Sequence, residues 1–253
     1  MVYLFAQERQ DYRDFAAGAV FYGLPGHPAF PVRLMSEIFQ RCLELRVRDG
    51  QVGPCRIYDP CCGGGYLLVT LAFLHWPEVQ AIYGSDMDVS ALEVANRNLN
   101  LLNVEGIQQR IDHIESQIKL FDKPSHKDAY LSAQRLKTHL LQFLNDHSIA
   151  AHTFNANIIT DELTGYFAKP IDLVITDIPY GNRSSWLGLP QDTLHEPSWY
   201  MLQSLLKILS AHSVVAIASN KQQKIAHDHY RRIDHFQIGK RRVVLFKPIN
   251  LAG

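Results

Sequence analysis

The sequence predicts an α/β fold in which helices cover a mostly parallel β-sheet. Short apolar runs alternate with segments of helical periodicity along most of the 253 residues, which is typical of consecutive strand–helix–strand units. Two early apolar runs end at acidic residues, Asp59 and Asp86, and a glycine-rich turn at 63–65 follows the first of them. No internal repeat or low-complexity segment divides the chain, so we expect one domain over 1–253.

Residues 1–50 are predicted to form an N-terminal extension that ends in a helix. Turn-forming residues lie at 23–28, and Pro31 stands where a helix would begin. Apolar side chains then recur at three- and four-residue spacing as far as Gly50. The next predicted elements are strand, helix, strand and an Asp88-capped helix, at 55–58, 66–74, 79–84 and 89–102.

Residues 104–147 interrupt this alternation. Isoleucines at 107–118 and leucines at 131–141 are spaced helically, and Pro124 separates the two sets, which predicts a helical hairpin inserted before the third strand. The sequence leaves two roles open for this insert: a scaffold packed on the core, or an arm that faces the substrate.

The strand pattern resumes after the insert. Strands are predicted at 150–154, 171–175 and 214–218, a helix at 197–209, and a terminal hairpin at 235–238 and 243–246. The hairpin adds a C-terminal antiparallel strand to the otherwise parallel sheet.

Composition narrows the class of protein. Lys+Arg and Asp+Glu are both 25, so a broadly basic surface is not expected. No apolar run approaches the roughly 20 residues that cross a bilayer, and the N-terminus lacks signal-peptide features, so we expect a cytoplasmic protein with no membrane association. The four cysteines form no C-x-x-C and the histidines no H-E-x-x-H, so we expect no metal.

The turn after the first strand has the features of a site for a ribose-bearing ligand. Glycines at 63–65 permit positive φ and let a ligand lie against bare backbone. Asp86 follows about twenty residues later, placed to accept from ribose hydroxyls. Leu68 stands where a dinucleotide site would need another glycine, which favours S-adenosylmethionine over NAD. S-adenosylmethionine would be the methyl donor. The candidate residues for binding it in this region are Asp59, Pro60, Gly63, Gly64, Gly65, Asp86 and Met87.

Two asparagines follow the third predicted strand, where an adenine amine could be bound. A side-chain amide can both accept from that amine and donate to a ring nitrogen. We select Asn157 for this role and leave Asn155 as the alternative.

The segment Asp177-Ile178-Pro179-Tyr180 closes a buried strand with groups that suit a planar amine. The Asp177 carboxylate and the Ile178 carbonyl can accept its hydrogens, Pro179 fixes the turn, and Tyr180 can stack on the base. We therefore predict that Asp177, Pro179 and Tyr180 form the catalytic site, at which the lone pair of a nucleobase's exocyclic amino nitrogen is aimed at the methyl group.

Three parts of the chain closely resemble the avilamycin-resistance ribosomal RNA methyltransferase family, of the AviRa type: Pro28–Leu34 with Glu37–Arg41, Asp59–Leu68, and Thr176–Gly181. The similarity extends over most of the chain. Two positions depart from the pattern, with Gly64 where a serine is common and Asn157 where an aspartate is expected.

This resemblance implies a Rossmann-like, class I, S-adenosylmethionine-dependent methyltransferase that modifies a guanine base of large-subunit ribosomal RNA. In that family the modification blocks an orthosomycin antibiotic. Two other functions stay open: a DNA adenine or cytosine amino-methyltransferase, which uses the same acceptor motif, and a catalytically silent RNA-binding module. No recognisable DNA target-recognition domain remains outside the core, and the intact Asp86 and Asp177 argue against loss of catalysis.

Overall fold

The computed structural model describes residues 3–26, 29–179, 186–189 and 194–249. Its helices are α1 (Val32–Arg48), α2 (Tyr66–Leu74), α3 (Val89–Asn100), α4 (Val104–Phe121), α5 (Pro124–Phe143) and α6 (Pro197–Leu205). Its strands are β1 (Cys55–Asp59), β2 (Val79–Asp86), β3 (Ala150–Asn155), β4 (Ile171–Asp177), β5 (Leu209–Asn220), β6 (Tyr230–Ile238) and β7 (Arg241–Pro248). The predicted sequence of elements is confirmed.

The boundaries differ from the prediction mainly at α6, β5 and β6, and β6 begins at Tyr230 rather than at 235. The helix predicted at 197–209 ends at Leu205 and passes through a single 3₁₀ turn into β5. β5 begins at Leu209 because its backbone already pairs with Ile171 there, although the next three residues, Ser210, Ala211 and His212, are partly or fully exposed. The apolar pattern of the sequence therefore predicted only the buried centre of this strand.

The strands form one seven-stranded sheet in the order β3-β2-β1-β4-β5-β7-β6. The first five strands in this order are parallel, and β7 lies between β5 and β6, antiparallel to both. The fold is α/β and Rossmann-like, with the antiparallel C-terminal strand that the sequence predicts. The strand order reverses between β1 and β4, and such a point is where open parallel sheets bind ligands.

Each face of the sheet is covered by its own hydrophobic core. Successive side chains of a strand point to opposite faces, so Leu173 and Ile175 belong to the core under α1, α2 and α3, whereas Val174 belongs to the core under α6. The two cores fix β1 and β4 side by side, which brings the ends of these strands to one edge.

The inserted hairpin, α4 and α5, packs on the first of these cores through buried residues such as Ile111 and Leu136. It also holds the N-terminal segment. The guanidinium of Arg110 on α4 donates to the carbonyl oxygens of Val20 at 2.8 Å and Ala19 at 2.6 Å. These contacts favour the scaffold interpretation of the insert over the substrate-facing arm.

None of the helices in the described ranges is long and apolar enough to cross a membrane. Within the same residues, no group of three or more His, Cys, Asp or Glu side chains is placed to hold a metal ion.

Candidate active site

A cavity of about 320 Å³ lies at the carboxyl ends of β1, β2 and β4, and we call it the main cavity. It brings together seven of the predicted site residues: Pro60, Gly63, Asp86, Met87, Asn157, Asp177 and Pro179. The remaining lining residues are Cys61, Asp88, Ala91, Ala156, Ile158, Trp186 and Leu187. Members of both the predicted methyl-donor set and the predicted acceptor set therefore line the same cavity.

A second cavity of about 150 Å³, the side cavity, lies between the N-terminal segment and the glycine turn. Asp59 and Gly64 line it, together with residues such as Leu24 and Phe30 of the N-terminal segment. Both cavities share Cys61, Gly63 and Asp177, so they adjoin along these three residues.

The glycine turn needs its glycines for two different reasons. Gly63 and Gly65 adopt left-handed backbone conformations, with φ of 50° and 70°, which L side chains rarely adopt. A Cβ at Gly65 would also lie 3.0 Å from Leu99 and 3.1 Å from Ala95 of α3. Gly65 lines neither cavity. It packs against α3 and supports the conformation of the turn.

The Asp86 carboxylate is held between the turn and the start of α3. Its Oδ2 accepts a hydrogen bond from the Gly63 amide at 2.9 Å, and its Oδ1 accepts from the Asp88 amide at 3.0 Å. Each carboxylate oxygen keeps acceptor capacity after one bond. Asp86 is therefore held in one orientation and can accept a further hydrogen bond on each oxygen.

The two candidate asparagines occupy different places. Asn155 donates to the backbone oxygens of Asp86 at 3.0 Å and Met87 at 3.1 Å, outside the main cavity. Asn157 lines the cavity, donates to the Leu187 carbonyl at 3.0 Å and accepts from the Ile159 amide at 3.0 Å. Position thus favours Asn157, whose amide is held by backbone groups on both sides.

Asp177 ends β4 with a half-buried carboxyl group. Its Oδ1 is buried and accepts no hydrogen bond from any described residue. Its Oδ2 lies 3.8 Å from Nε of Arg241 on β7. Burial raises the pKa of Asp177 to about 6, and the positive charge of Arg241 opposes that shift. An unpartnered acceptor in such a cavity is a place for a ligand's N–H group.

Asp59 lies deeper, beneath the same edge of the sheet. It accepts from the Cys61 amide at 3.1 Å. Burial raises the pKa of Asp59 to about 7, and the charges of Asp86 and Asp177 add to the shift. The negative charges at the ends of β2 and β4 thus disfavour a further charge on Asp59 at the end of β1.

The turn after β4 is anchored at two successive residues. The Ile178 amide donates to the Ala218 carbonyl at 3.0 Å, and the Pro179 carbonyl accepts from Nε2 of Gln223 at 3.1 Å. Tyr180, the predicted stacking residue, lies outside the described residues, and its role stays a prediction.

Three residues of the site were missed by the sequence analysis. Buried Asn98 of α3 donates to the backbone oxygens of Gly64 at 2.7 Å and Tyr22 at 2.9 Å, and so ties the N-terminal segment to the turn. Its only signal was a polar residue on the buried face of an amphipathic helix. Gln223 and Arg241 reach the site from distant loops and strands, and no spacing in the sequence indicates that.

Comparison with known proteins gives a consistent family. The sequence model of the family rRNA methyltransferase AviRa matches residues 1–241. A curated protein of Streptomyces viridochromogenes, 23S rRNA (guanine(2535)-N(1))-methyltransferase, is 38% identical over 252 residues, covering 98% of this chain and 97% of its own. Two solved structures of the rRNA methyltransferase AviRa from the same organism are each 35% identical.

Those structures superimpose with TM-scores of 0.84 and 0.85, covering 97% and 98% of this chain and 96% of each relative. Sequence and architecture therefore match over nearly the whole length of both proteins. The chain belongs to the AviRa family of ribosomal RNA methyltransferases.

Proposed function

We propose that this protein is an S-adenosylmethionine-dependent methyltransferase that modifies ring nitrogen N1 of a guanine in large-subunit ribosomal RNA. The observation that supports it most is the buried, unpartnered Oδ1 of Asp177 at the wall shared by the two cavities. The name of the Streptomyces viridochromogenes relative, which specifies guanine N1, supports the choice of atom.

The residues of the main cavity fit the methyl donor. Gly63 offers backbone without a side chain, Asp86 is oriented for ribose hydroxyls, and Met87, Ala91 and Ile158 are apolar and suit an adenine ring. When bound, S-adenosylmethionine supplies an electrophilic methyl group on a positively charged sulfur. A cavity with several carboxyl groups favours that charge.

The Asp177–Arg241 pair fits the edge of guanine that carries N1. That edge presents the O6 acceptor beside the N1–H donor, and neither Asp177 Oδ1 nor Arg241 Nε has a hydrogen-bond partner among the described residues. Oδ1 would accept from N1–H while the guanidinium donates to O6. Adenine and cytosine carry no hydrogen on the corresponding ring nitrogen, so they do not offer this pattern.

Asp177 then acts as the general base. N1 must lose its proton as the new N–C bond forms, and a carboxylate with a pKa of about 6 is ionised at neutral pH and can receive it. Arg241 would stabilise the negative charge that spreads to O6 as the proton leaves. This assignment changes one part of the sequence-based mechanism: the exocyclic amine becomes a group for recognition, and the ring nitrogen becomes the nucleophile.

The cellular role follows from the substrate. We place the protein in the cytoplasm, with ribosomal RNA as its partner, and infer that the modification protects ribosomes from an orthosomycin antibiotic. Expression of the wild type in an avilamycin-sensitive bacterium should raise the inhibitory concentration of the drug. Expression of Asp177→Asn at the same level should not raise it, and equal protection by both would contradict this inference.

The enzymatic test uses labelled methyl donor with naked large-subunit RNA, assembled large subunits and duplex DNA. We expect 1-methylguanosine from RNA, identified by nucleoside mass spectrometry. A guanine methylated on the exocyclic amine would support the amine mechanism instead, a ribose- or carbon-methylated product would refute both, and a DNA product would establish the alternative function. RNA and donor bound without any methylated product would indicate a silent binding module.

The first prediction concerns Asp177, the proposed general base. Asp177→Asn keeps the size and one acceptor of the side chain but cannot take a proton at neutral pH, so methyl transfer should fall by roughly 10²–10⁴-fold. Calorimetry with S-adenosylhomocysteine should show donor-site affinity close to wild type. A rate of methyl transfer near that of the wild type in Asp177→Asn would show that Asp177 is not the general base.

A further inference from the structure

Three stacked rings border a further cavity of about 710 Å³, which we call the outer cavity. The His195 and Trp199 rings lie 4.2 Å apart at 11°, and the Trp199 and His227 rings lie 4.5 Å apart at 27°. Lys224 lines the same cavity with an exposed cationic side chain. The donor and acceptor residues described above use none of these groups.

One end of this stack is fixed and the other is exposed. His227 is buried, its Nδ1 accepts from the His229 amide at 3.1 Å, and its Nε2 therefore donates to Oε1 of Gln203 at 3.0 Å. Trp199 is half-buried against it, and His195 is exposed to solvent. The protein thus holds a flat aromatic platform whose last ring is open for another planar group.

The outer cavity adjoins the candidate active site through two segments. Trp186 and Leu187 line the main cavity, and Leu189, two residues later, lines the outer cavity. Gln223 donates to the carbonyl of Pro179 in the acceptor turn, and Lys224 follows it directly. A chain that enters the main cavity would therefore pass close to this platform.

We propose that the outer cavity binds an unpaired nucleotide of the substrate RNA next to the target guanine, with its base stacked on His195 and its phosphate held by Lys224. This inference rests on the proposed function and adds to it. A base that enters an active site leaves the stack of its neighbours, and an aromatic side chain can replace the lost contact. Stacking on an aromatic ring also tolerates any base.

Two acidic residues of the outer cavity restrict where the phosphate could lie. Glu196 and Asp228 line the outer cavity and are exposed. Their carboxylates can accept from the N–H groups on a base edge, and they repel a phosphate from their side of the cavity. The phosphate would therefore lie on the Lys224 side, which gives the nucleotide one orientation.

The test measures binding of a short single-stranded RNA by fluorescence anisotropy without methyl donor, so that it does not depend on turnover. A matched strand with abasic residues presents the same phosphates without bases. His195→Ala should weaken binding of the normal strand by roughly 5- to 150-fold, the range of one stacked base, and should leave the abasic strand unaffected. His195→Phe keeps a ring and should bind nearly as the wild type does.

Lys224→Ala should weaken both strands and reduce the slope of log affinity against log salt by about 0.7, the value for one phosphate on a single strand. His212→Ala, an exposed histidine at the opposite end of β5, is the matched control and should change nothing. Equal affinity of wild type and His195→Ala for the normal strand, or no binding of that strand by the wild type, would overturn the proposal.

Failure of the proposed function would look different. In that case the variants would behave as expected in the binding assay, and wild-type protein would transfer no methyl group to RNA. Methyl transfer by the wild type together with unchanged binding and unchanged KM for RNA in His195→Ala would overturn the nucleotide site alone.

Discussion

At the scale of the residue, the ionisation of Asp177 depends on its surroundings. Burial disfavours the charged form and raises the pKa to about 6, whereas the guanidinium of Arg241, 3.8 Å away, favours the charged form. The balance leaves a carboxylate that is basic enough to take a proton and still ionised at neutral pH. Burial and one neighbouring charge thus act in opposite directions on the pH range in which Asp177 is ionised.

The second prediction follows from that balance. Arg241→Gln removes the positive charge, so the pKa of Asp177 should rise and the acidic limb of the pH–kcat profile should move to higher pH. The loss of activity should therefore be larger at pH 6 than at pH 8. Arg242→Gln is the matched control, because the neighbouring residue of β7 points to the opposite face of the sheet. An unshifted profile in Arg241→Gln would show that this arginine does not act on the base.

The third prediction concerns Asp86. Asp86→Ala removes the acceptors for the ribose hydroxyls and should weaken donor binding by ~1–3 kcal/mol, the range for hydrogen bonds to a charged group. Calorimetry with S-adenosylhomocysteine measures this, and Glu93→Ala, an exposed acid on the following helix α3, serves as the control. Unchanged affinity in Asp86→Ala would show that the methyl donor does not bind at the end of β2.

At the scale of the element, the inserted hairpin supports the site without lining either cavity. α4 holds Val20 and Ala19 through Arg110, whose guanidinium also lies 4.3 Å from the centre of the Tyr22 ring. The same N-terminal segment covers the side cavity. The insert therefore orders a segment that reaches the glycine turn.

The fourth prediction tests this support. Arg110→Met keeps the apolar stem but removes both hydrogen bonds, so the backbone of 17–24 should exchange its amide hydrogens faster and donor affinity should fall. Hydrogen exchange with mass spectrometry measures the first effect and calorimetry the second. Lys119→Met, an exposed cation on the same helix, should show neither. Unchanged exchange in Arg110→Met would mean that other contacts hold this segment.

The elements themselves could be read from the sequence, because each strand and helix carries its own pattern of apolar residues. The ends of β1, β2 and β4, and hence Asp59, Asp86 and Asp177, were predictable for the same reason. Arg241 was not predictable as a site residue, because its position depends on β7 lying between β5 and β6. The aromatic platform was not predictable either. It brings His195 and Trp199, at the start of α6, against His227 in the loop after β5, and local periodicity carries no information about such a contact.

At the scale of the whole molecule, the buried carboxyl groups couple folding to pH. The pKa of Asp59 is about 7 in the folded protein and near 3.8 in an unfolded chain. Because the folded pKa is the higher one, the folded state binds more protons, and stability falls as pH rises from about 4 to about 7. Asp177, with a pKa of about 6, acts in the same direction.

The fifth prediction uses this coupling. Between pH 5 and pH 7 the wild type should lose about 2 kcal/mol of unfolding free energy through Asp59, since the slope approaches 1.36 kcal/mol per pH unit near pH 5 and falls to half of that at the folded pKa. Asp59→Asn keeps an acceptor for the Cys61 amide but does not titrate, so its stability should fall less over the same range. Urea denaturation at several pH values measures both proteins. Parallel curves would show that Asp59 is not a buried titrating group.

The strand order of the sheet also bears on how the protein matures during translation. β6 leaves the ribosome before β7, yet its pairing partner in the sheet is β7, and β7 alone joins it to β5. The nascent chain can therefore assemble the edge formed by the ends of β1, β2 and β4 before β6 has its neighbour in the sheet. Arg241 is the first residue of β7, so the charge that tunes Asp177 arrives with the strand that closes the sheet. The ion pair between Arg241 and Asp177 can therefore form only after β7 has been made and has joined the sheet.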